Sequence, residues 1–201
     1  MIPVGAVTSP PRTPAWPVAV AVCLLLALPA AAAAAERTLH LDPAKTTIRF
    51  RVKARAHQVL GTMPLVSGEL RIDTTTGAAS GEVVMDPGRA ETGVQMRDRT
   101  MRTEVFEVER YPLLVFRPQE VSGEIPEAGE GRVQLVGVLE IHGGEHPVTL
   151  PVALQASPEG LRAGTTFTIP YVEWGMHNPG NAMLRVDDTV EVRIETVIAL
   201  Q

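Results

Sequence analysis

Cysteine is nearly absent from this chain: Cys23 is the only one among its 201 residues. Cys23 lies in an apolar N-terminal segment that we expect to be removed, so the mature protein is predicted to contain no thiol. A chain without thiols has no disulfide framework and no thiolate metal ligand. The absence also excludes a cysteine nucleophile.

Positive charge is scarce as well. The sequence holds 18 lysines and arginines against 23 aspartates and glutamates, which gives a formal net charge of -5 at pH 7. Proteins that bind nucleic acid need lysine and arginine gathered on one surface to neutralise phosphates. We therefore predict no nucleic-acid partner.

The motifs of the common enzyme families are also missing. The sequence contains no Gly-x-Ser-x-Gly nucleophile turn, no phosphate-binding glycine loop and no dinucleotide fingerprint. His142 and His146 are separated by two glycines and a glutamate, so they lack the order of a zinc protease motif. We expect His142 to anchor a turn and His146 to be a solvated turn residue. The sequence predicts no catalytic residue, no metal site and no required cofactor.

The N-terminal segment has the three parts of a secretory signal peptide: a basic residue at Arg12, an apolar stretch over residues 15–28 and small residues ending at Ala35. We expect cleavage before Glu36. The alternative is an uncleaved membrane anchor, because the apolar region nearly reaches the length of about 20 residues that spans a bilayer. Two prolines and the alanine run argue against an anchor. The chain is thus divided into a signal peptide, residues 1–35, and one periplasmic or secreted domain without a stable membrane anchor, residues 36–201.

Short segments of alternating polarity fill the mature chain, separated by glycine, proline and aspartate. In residues 47–53 the apolar side chains Ile48, Phe50 and Val52 alternate with three basic ones, as expected for a strand with one dry and one wet face. About eight such strands indicate an antiparallel barrel or sandwich. The predicted strands cover residues 47–53, 67–72, 80–85, 113–116, 133–141, 148–154, 164–169 and 190–195.

Residues 95–108 break this pattern, because they lack glycine and proline and place apolar residues four apart. We predict a short helix here, ended by Pro112. Arg97 and Asp98 are predicted to form a buried ion pair that fixes the helix to the sheet. We expect the sheet-facing side to carry Met101, Val105 and Phe106, and the solvent-facing side to carry Arg99, Arg102 and Glu109.

Three blocks of motifs occur in a fixed order along the mature chain. The first runs from Glu91-Thr92-Gly93 through Arg97-Asp98 and residues 101–112 to Val115-Phe116. The second covers residues 136–143 and 147–150, and the last is Val186-Asp187-Asp188 before the closing strand. In these blocks, and in Leu41-Asp42-Pro43 before the first long strand, the chain resembles the YceI-like family.

The resemblance implies an all-β fold, an eight-stranded antiparallel lipocalin-like barrel with a short helix packed near one end. Proteins of this family bind long isoprenoid chains, such as polyprenyl or quinone tails, in an apolar cavity, and many are exported to the bacterial periplasm. The expected function is a periplasmic carrier that sequesters a long-chain isoprenoid or quinone-type lipid. Two alternatives stay open: an enzyme acting on such a lipid, and a stress-related barrel with a filled core that binds another protein.

The candidate binding residues are the apolar side chains of the alternating strands, the apolar helix residues and a tryptophan that either caps the mouth or packs against the rim of the barrel. For each strand residue the alternative is that it only fills the core. The expected partners are an apolar long-chain lipid and a membrane donor or acceptor protein. The candidates for a polar head group are Arg55, His57 and Arg97, and those for lipid contact are Ile48, Phe50, Val52, Leu70, Ile72, Val83, Met85, Met96, Met101, Phe106, Phe116, Leu139, Phe167 and Trp174.

Overall fold

The computed structural model describes residues 36–55, 57–180 and 185–199, and the predicted signal peptide lies outside them. The described residues form a single sheet of ten antiparallel strands. The strands are β1 (Glu36–His40), β2 (Thr46–Lys53), β3 (Gln58–Met63), β4 (Leu65–Asp73), β5 (Ala79–Met85), β6 (Leu114–Gly123), β7 (Gly129–Ile141), β8 (Gly144–Ser157), β9 (Gly160–Ile169) and β10 (Val190–Ile198).

The sheet curls into a barrel because the chain joins its two ends. The strand order is β1-β4-β5-β6-β7-β8-β9-β10-β2-β3, yet β1 and β2 are separated only by residues 41–45. Each residue spans at most about 3.6 Å, so this connection holds the two ends of the sheet together. β1–β2 and β3–β4 are two long strands, each bent once, and the Leu41 N–H donates to the Gly68 carbonyl (2.9 Å) near the bends. The ten segments therefore form the predicted eight-stranded barrel.

Alternation along the strands separates the interior from the surface. Ile48 lies opposite Ile194 between β2 and β10, and both side chains face the interior. On the outer face of the same strand pair, Arg51 lies opposite Glu191 and its guanidinium is 2.7 Å from the carboxylate. This is the pattern that the sequence predicts for residues 47–53 and 190–195.

The sequence pattern does not predict β1 or β3. β1 places one apolar side chain, Leu39, against the core, so its sequence shows no alternation. β3 contains Gly61, where a Cβ atom would lie 2.2 Å from the Phe50 ring. The connection between the predicted strands 113–116 and 133–141 is also shorter than predicted, because β6 ends at Gly123 and β7 begins at Gly129.

One helix follows β5 at the end of the barrel where β2, β5, β7 and β9 finish. α1 covers Gln95–Thr100 and continues as a single π-helical turn over Met101–Val105. The helix ends earlier than the predicted residue 108, because Glu107 adopts a left-handed φ of 48°. Within the described ranges no helix is long and apolar enough to cross a membrane.

The helix faces the barrel largely as predicted. Val105 is buried, and Met101 and Phe106 pack against the main core cluster. Arg102 contradicts the prediction of a solvent-facing side chain, because it is half-buried and donates from Nη2 to the Ala90 carbonyl (2.9 Å). The opposite end of the barrel is closed by a second apolar cluster of Ile72, Val121, Val133, Leu154, Leu161 and Ile198.

Candidate functional site

The barrel encloses a cavity of about 640 Å³ that runs from the helix end into the closed end. This volume falls in the range of about 300–1,000 Å³ that is usual for ligand pockets. Nearly all lining side chains are apolar, so the cavity can remove a hydrocarbon chain from water along its whole length. The predicted lipid contacts that line it are Ile48, Phe50, Val52, Leu70, Ile72, Val83, Met85, Met96, Met101, Phe106, Phe116, Leu139 and Phe167.

Polar groups in the lining are few and most lie at the helix end. Arg97 is the one charged side chain among the described lining residues, apart from the titratable His57. Thr165 lies deeper, and its buried hydroxyl has no hydrogen-bond partner among the described residues. Most of the few polar groups of the lining therefore lie at the helix end, beside exposed apolar residues, and the interior is largely apolar.

The opening of the cavity lies at the helix end of the barrel. Among the described lining residues, those that are exposed are His57, Val94, Met96 and Pro179. All of them belong to connections at that end, and the Ala54–Val186 bridge lies beside them. We call this opening the mouth and define it by Ala54, His57, Val94, Met96, Pro179 and Val186.

Thr92 ties α1 to the loop beside the mouth. The Asp98 carboxylate is buried and accepts hydrogen bonds from the Thr92 N–H (2.8 Å) and the Thr92 hydroxyl. Arg97 donates from Nε to the Thr92 hydroxyl (2.8 Å) and from Nη2 to the Thr92 carbonyl (3.0 Å). The predicted direct ion pair between Arg97 and Asp98 is therefore wrong, because both side chains converge on Thr92 instead. The predicted structural role, fixing the helix, is served by this shared partner.

Two predicted site residues lie outside the lining. Trp174 packs face to face on His146, with ring centroids 4.0 Å apart and planes tilted by 8°, so it does not cap the cavity. This contact also corrects the prediction of a solvated His146, whose half-buried ring has its pKa lowered by burial. Arg55 is exposed and its side chain does not line the cavity.

The β7–β8 turn confirms an anchoring role for His142. His142 and Gly143 both have positive φ, 51° and 74°, which is the geometry of a two-residue hairpin turn. His142 packs on Tyr111 with ring centroids 4.6 Å apart, and its Nε2 lies 3.2 Å from the Glu107 carboxylate. The turn thus connects the barrel to the segment after the helix.

His142 and His146 do not converge on one site. Across residues 36–55, 57–180 and 185–199, no three His, Cys, Asp or Glu side chains come together as metal ligands. His142 and His146 face different partners, Glu107 and Trp174.

Several lining residues are missing from the sequence-based set. Some lie on strands with weak patterns, Thr165 is polar, and others, such as Leu150 and Ile194, are apolar residues of predicted strands that alternation already places inward. Leu39 belongs to the unpredicted β1, and Val59 and Met63 belong to the unpredicted β3. Thr165 follows from the alternation of β9, in which Phe167 and Ile169 also line the cavity. The alternation of β9 was therefore sufficient to predict Thr165, whereas the sequences of β1 and β3 carry no pattern that predicts their lining residues.

Comparison with known proteins identifies relatives over most of the chain. The family model described as the YceI-like domain matches residues 39–198. A UPF0312 protein of Vibrio vulnificus is 26% identical over 185 residues, covering 81% of this chain and 96% of that protein. A UPF0312 protein of Vibrio cholerae is 27% identical over 135 residues, covering 66% of this chain and 69% of that protein.

Solved structures share the fold at lower sequence identity. BcnA of Burkholderia cenocepacia has a TM-score of 0.64 at 19% identity, covering 80% of this chain and 99% of BcnA. A polyisoprenoid-binding domain from Saccharophagus degradans has a TM-score of 0.62 at 18% identity, covering 82% of this chain and 98% of that domain. The YceI protein of Campylobacter jejuni has a TM-score of 0.60 at 15% identity, covering 73% of this chain and 88% of that protein.

Proposed function

The chain belongs to the YceI-like family, and from that premise we propose that it binds a long isoprenoid or quinone-type lipid noncovalently inside the barrel. The observation that carries the proposal is the lining of the cavity, which is apolar along most of its depth and has most of its few polar groups near the mouth. The polyisoprenoid-binding domain of Saccharophagus degradans shares this fold and supports the same ligand class.

Burial of hydrocarbon supplies the affinity. Removing each CH₂ group from water contributes about 0.8 kcal/mol, so a five-carbon isoprene unit contributes about 4 kcal/mol before the entropic costs of binding. A chain of a few units therefore binds tightly without any specific polar contact. Such a site selects for length and flexibility of the chain more than for its head group.

Binding, rather than catalysis, fits the residues of the cavity. An enzyme acting on the lipid needs a nucleophile beside a base, or an acid and a base, within reach of the reacting atoms. The described lining has Arg97 and His57 near the mouth and only isolated hydroxyls deeper inside. Arg97 is already bound to Thr92 by two hydrogen bonds.

The proposed location is an aqueous compartment outside the cytoplasm, because the N-terminal segment has the composition of a secretory signal. A lipid with a long apolar chain cannot move through water unaided. A barrel that covers the chain allows that movement, which makes a periplasmic carrier the function proposed here.

Mass spectrometry of an organic extract tests the proposal. The protein is purified from its native host under mild conditions, and we expect about one prenyl lipid per protein chain. Repeated recovery of protein without prenyl lipid, together with failure to take up a polyprenyl lipid in vitro, would contradict the proposal. Chemical conversion of the added lipid by the purified protein would instead favour the enzyme alternative.

A matched pair of variants localises the lipid. Ala163→Phe places a ring on the lining of β9, whereas Ala153→Phe places the same ring on an exposed position of β8. We expect Ala163→Phe to lose bound lipid or to retain shorter chains, and Ala153→Phe to retain the wild-type lipid. Thermal unfolding of both variants checks that each one folds. Equal lipid content in the two folded variants contradicts binding in the cavity.

A further inference from the structure

The mouth of the cavity is apolar and exposed, which is unusual for a rim that faces only water. Val94 is 48% exposed and Met96 is 81% exposed, and both also line the cavity. The apolar lining therefore continues without a break onto the surface. Exposed apolar side chains around an opening indicate an interaction site.

Cations surround this apolar rim and have no carboxylate partner. Lys53 is the last residue of β2 and Arg55 follows it at the mouth, and Arg99 lies on the exposed side of α1 next to Met96. In the described ranges none of these three lies within salt-bridge distance of a carboxylate. The exposed residues of α1 and of the segment 53–60 include no acidic side chain.

Most arginines of the outer wall have a carboxylate partner, although among the described residues the exposed Arg37 of β1 and Arg132 of β7 have none. Arg51 pairs with Glu191 (2.7 Å), and Arg117 pairs with both Glu82 (3.0 Å) and Glu140 (2.8 Å). The chain as a whole is acidic, with a formal net charge of -5. Lys53, Arg55 and Arg99 therefore form a group of unpaired cations at the mouth of a protein whose net charge is negative.

Arg55 and Arg185 form a pair of like charges at the mouth. The Ala54–Val186 bridge and the hydrogen bond from the Arg55 N–H to the Arg185 carbonyl (2.9 Å) place these two arginines opposite each other. Like charges directly opposite on neighbouring strands destabilise a sheet. Asp187 and Asp188 follow on the same segment. The Asp187 N–H donates to the Lys53 carbonyl (2.9 Å), and Asp188 accepts a hydrogen bond from Asn178 (2.7 Å).

We propose that the mouth docks on a bilayer surface containing anionic phospholipids, so that the lipid passes between membrane and cavity without crossing water. Val94 and Met96 enter the interface between head groups and acyl chains, while Lys53, Arg55, Arg99 and Arg185 contact the phosphates. The combination of an apolar rim with a surrounding ring of cations is the arrangement that binds such surfaces. This inference rests on the proposed function, because docking brings the open end of the cavity to the source of its ligand.

Vesicle flotation tests the docking. The purified protein is mixed with vesicles of phosphatidylcholine alone or of phosphatidylcholine with phosphatidylglycerol, and we expect binding to the second kind that weakens as salt is added. Arg55→Gln and Arg99→Gln are each expected to weaken binding about fivefold. Binding to phosphatidylglycerol vesicles that is no stronger than to phosphatidylcholine vesicles overturns the proposal.

A second pair of matched variants tests the apolar rim. Val94→Asp changes an exposed valine at the mouth, and Val66→Asp changes a valine of similar exposure, 42% against 48%, that does not line the cavity. We expect Val94→Asp to weaken vesicle binding about tenfold and Val66→Asp to leave it unchanged. An equal effect of the two variants contradicts docking through the mouth. All variants share the wild-type N-terminus, so any effect of that segment on binding cancels.

Two further measurements separate this proposal from others. Size-exclusion chromatography of wild type and Met96→Asp tests whether a second copy of the chain covers the rim; a wild-type dimer that the substitution dissociates overturns membrane docking. Organic extraction of the same samples tests the proposed function independently. Lipid-loaded protein that binds no vesicle refutes docking alone, whereas protein that neither holds nor takes up prenyl lipid refutes the proposed function.

Discussion

Replacing Thr165 with valine tests whether the interior of the barrel is dry. Thr165 lies between Val152 of β8 and Ile194 of β10, and all three residues line the cavity. Its hydroxyl is buried without a hydrogen-bond partner among the described residues. Valine has nearly the same shape and carries a methyl group in place of the hydroxyl, so the substitution changes polarity with little change in volume.

The magnitude follows from the cost of an unpaired hydroxyl. Burying such a group without a partner costs about 1–3 kcal/mol in proteins. We therefore expect Thr165→Val to raise the free energy of unfolding of the lipid-free protein by about 1 kcal/mol or more. For a domain of this size, 1 kcal/mol corresponds to a rise in Tm of about 2–4 °C.

Urea unfolding and thermal scans of lipid-free protein provide the assay. Thr166→Val is the control, because Thr166 lies on the same strand but is exposed, and its effect is expected to stay within about 0.5 kcal/mol. A Thr165→Val variant that is less stable than wild type refutes the reasoning. That result would mean that the hydroxyl is hydrogen-bonded by water inside the cavity.

Two other substitutions test residues close to the mouth. Burial and the nearby Asp188 and Asp187 carboxylates raise the pKa of Tyr171 to about 12. The folded state therefore keeps its phenol proton where the unfolded chain has lost it, and stability is expected to fall between pH 10 and about pH 12. Tyr171→Phe should remove that part of the alkaline destabilisation, as followed by thermal unfolding at a series of pH values; an unchanged pH dependence contradicts the assignment. Asp98→Ala removes two hydrogen bonds to a buried carboxylate and is expected to cost about 2–4 kcal/mol in urea unfolding, whereas the exposed Arg99→Ala should cost less than about 0.5 kcal/mol.

Strong alternation in the sequence was sufficient to predict the strands that form most of the barrel. Three apolar side chains of β2 and four of β10 face inward while charged residues face outward, so each strand has one stable orientation. β1 and β3 lack this pattern. β1 is held as a strand by its pairing with β4 from Glu36 to His40, and β3 accommodates the Phe50 ring over Gly61. Tertiary pairing, which no local pattern encodes, determines both.

The cavity residues were predictable, but the existence of a cavity was not. The inward side of an alternating strand is identical in sequence whether it packs against other side chains or faces a ligand. The difference lies in the radius of the closed barrel, which depends on the number of strands and on their stagger. The position of Trp174 was also not predictable from the sequence. This aromatic residue after β9 packs on His146 outside the cavity rather than over its opening.

The Arg97–Asp98 prediction failed for a reason that the sequence already contained. Neighbouring residues of a helix point about 100° apart, so they do not face each other and rarely form a direct pair. A third residue must lie between them, and Thr92 is the first residue before α1 with a hydroxyl. The Thr92 hydroxyl accepts a hydrogen bond from Arg97 and donates one to Asp98, so both charged side chains are bonded to the same residue. The helix is thereby fixed to the loop at the mouth rather than to the barrel wall. The position of Met96 and Arg99 on the rim thus depends on Thr92, which connects the fold directly to the proposed docking surface.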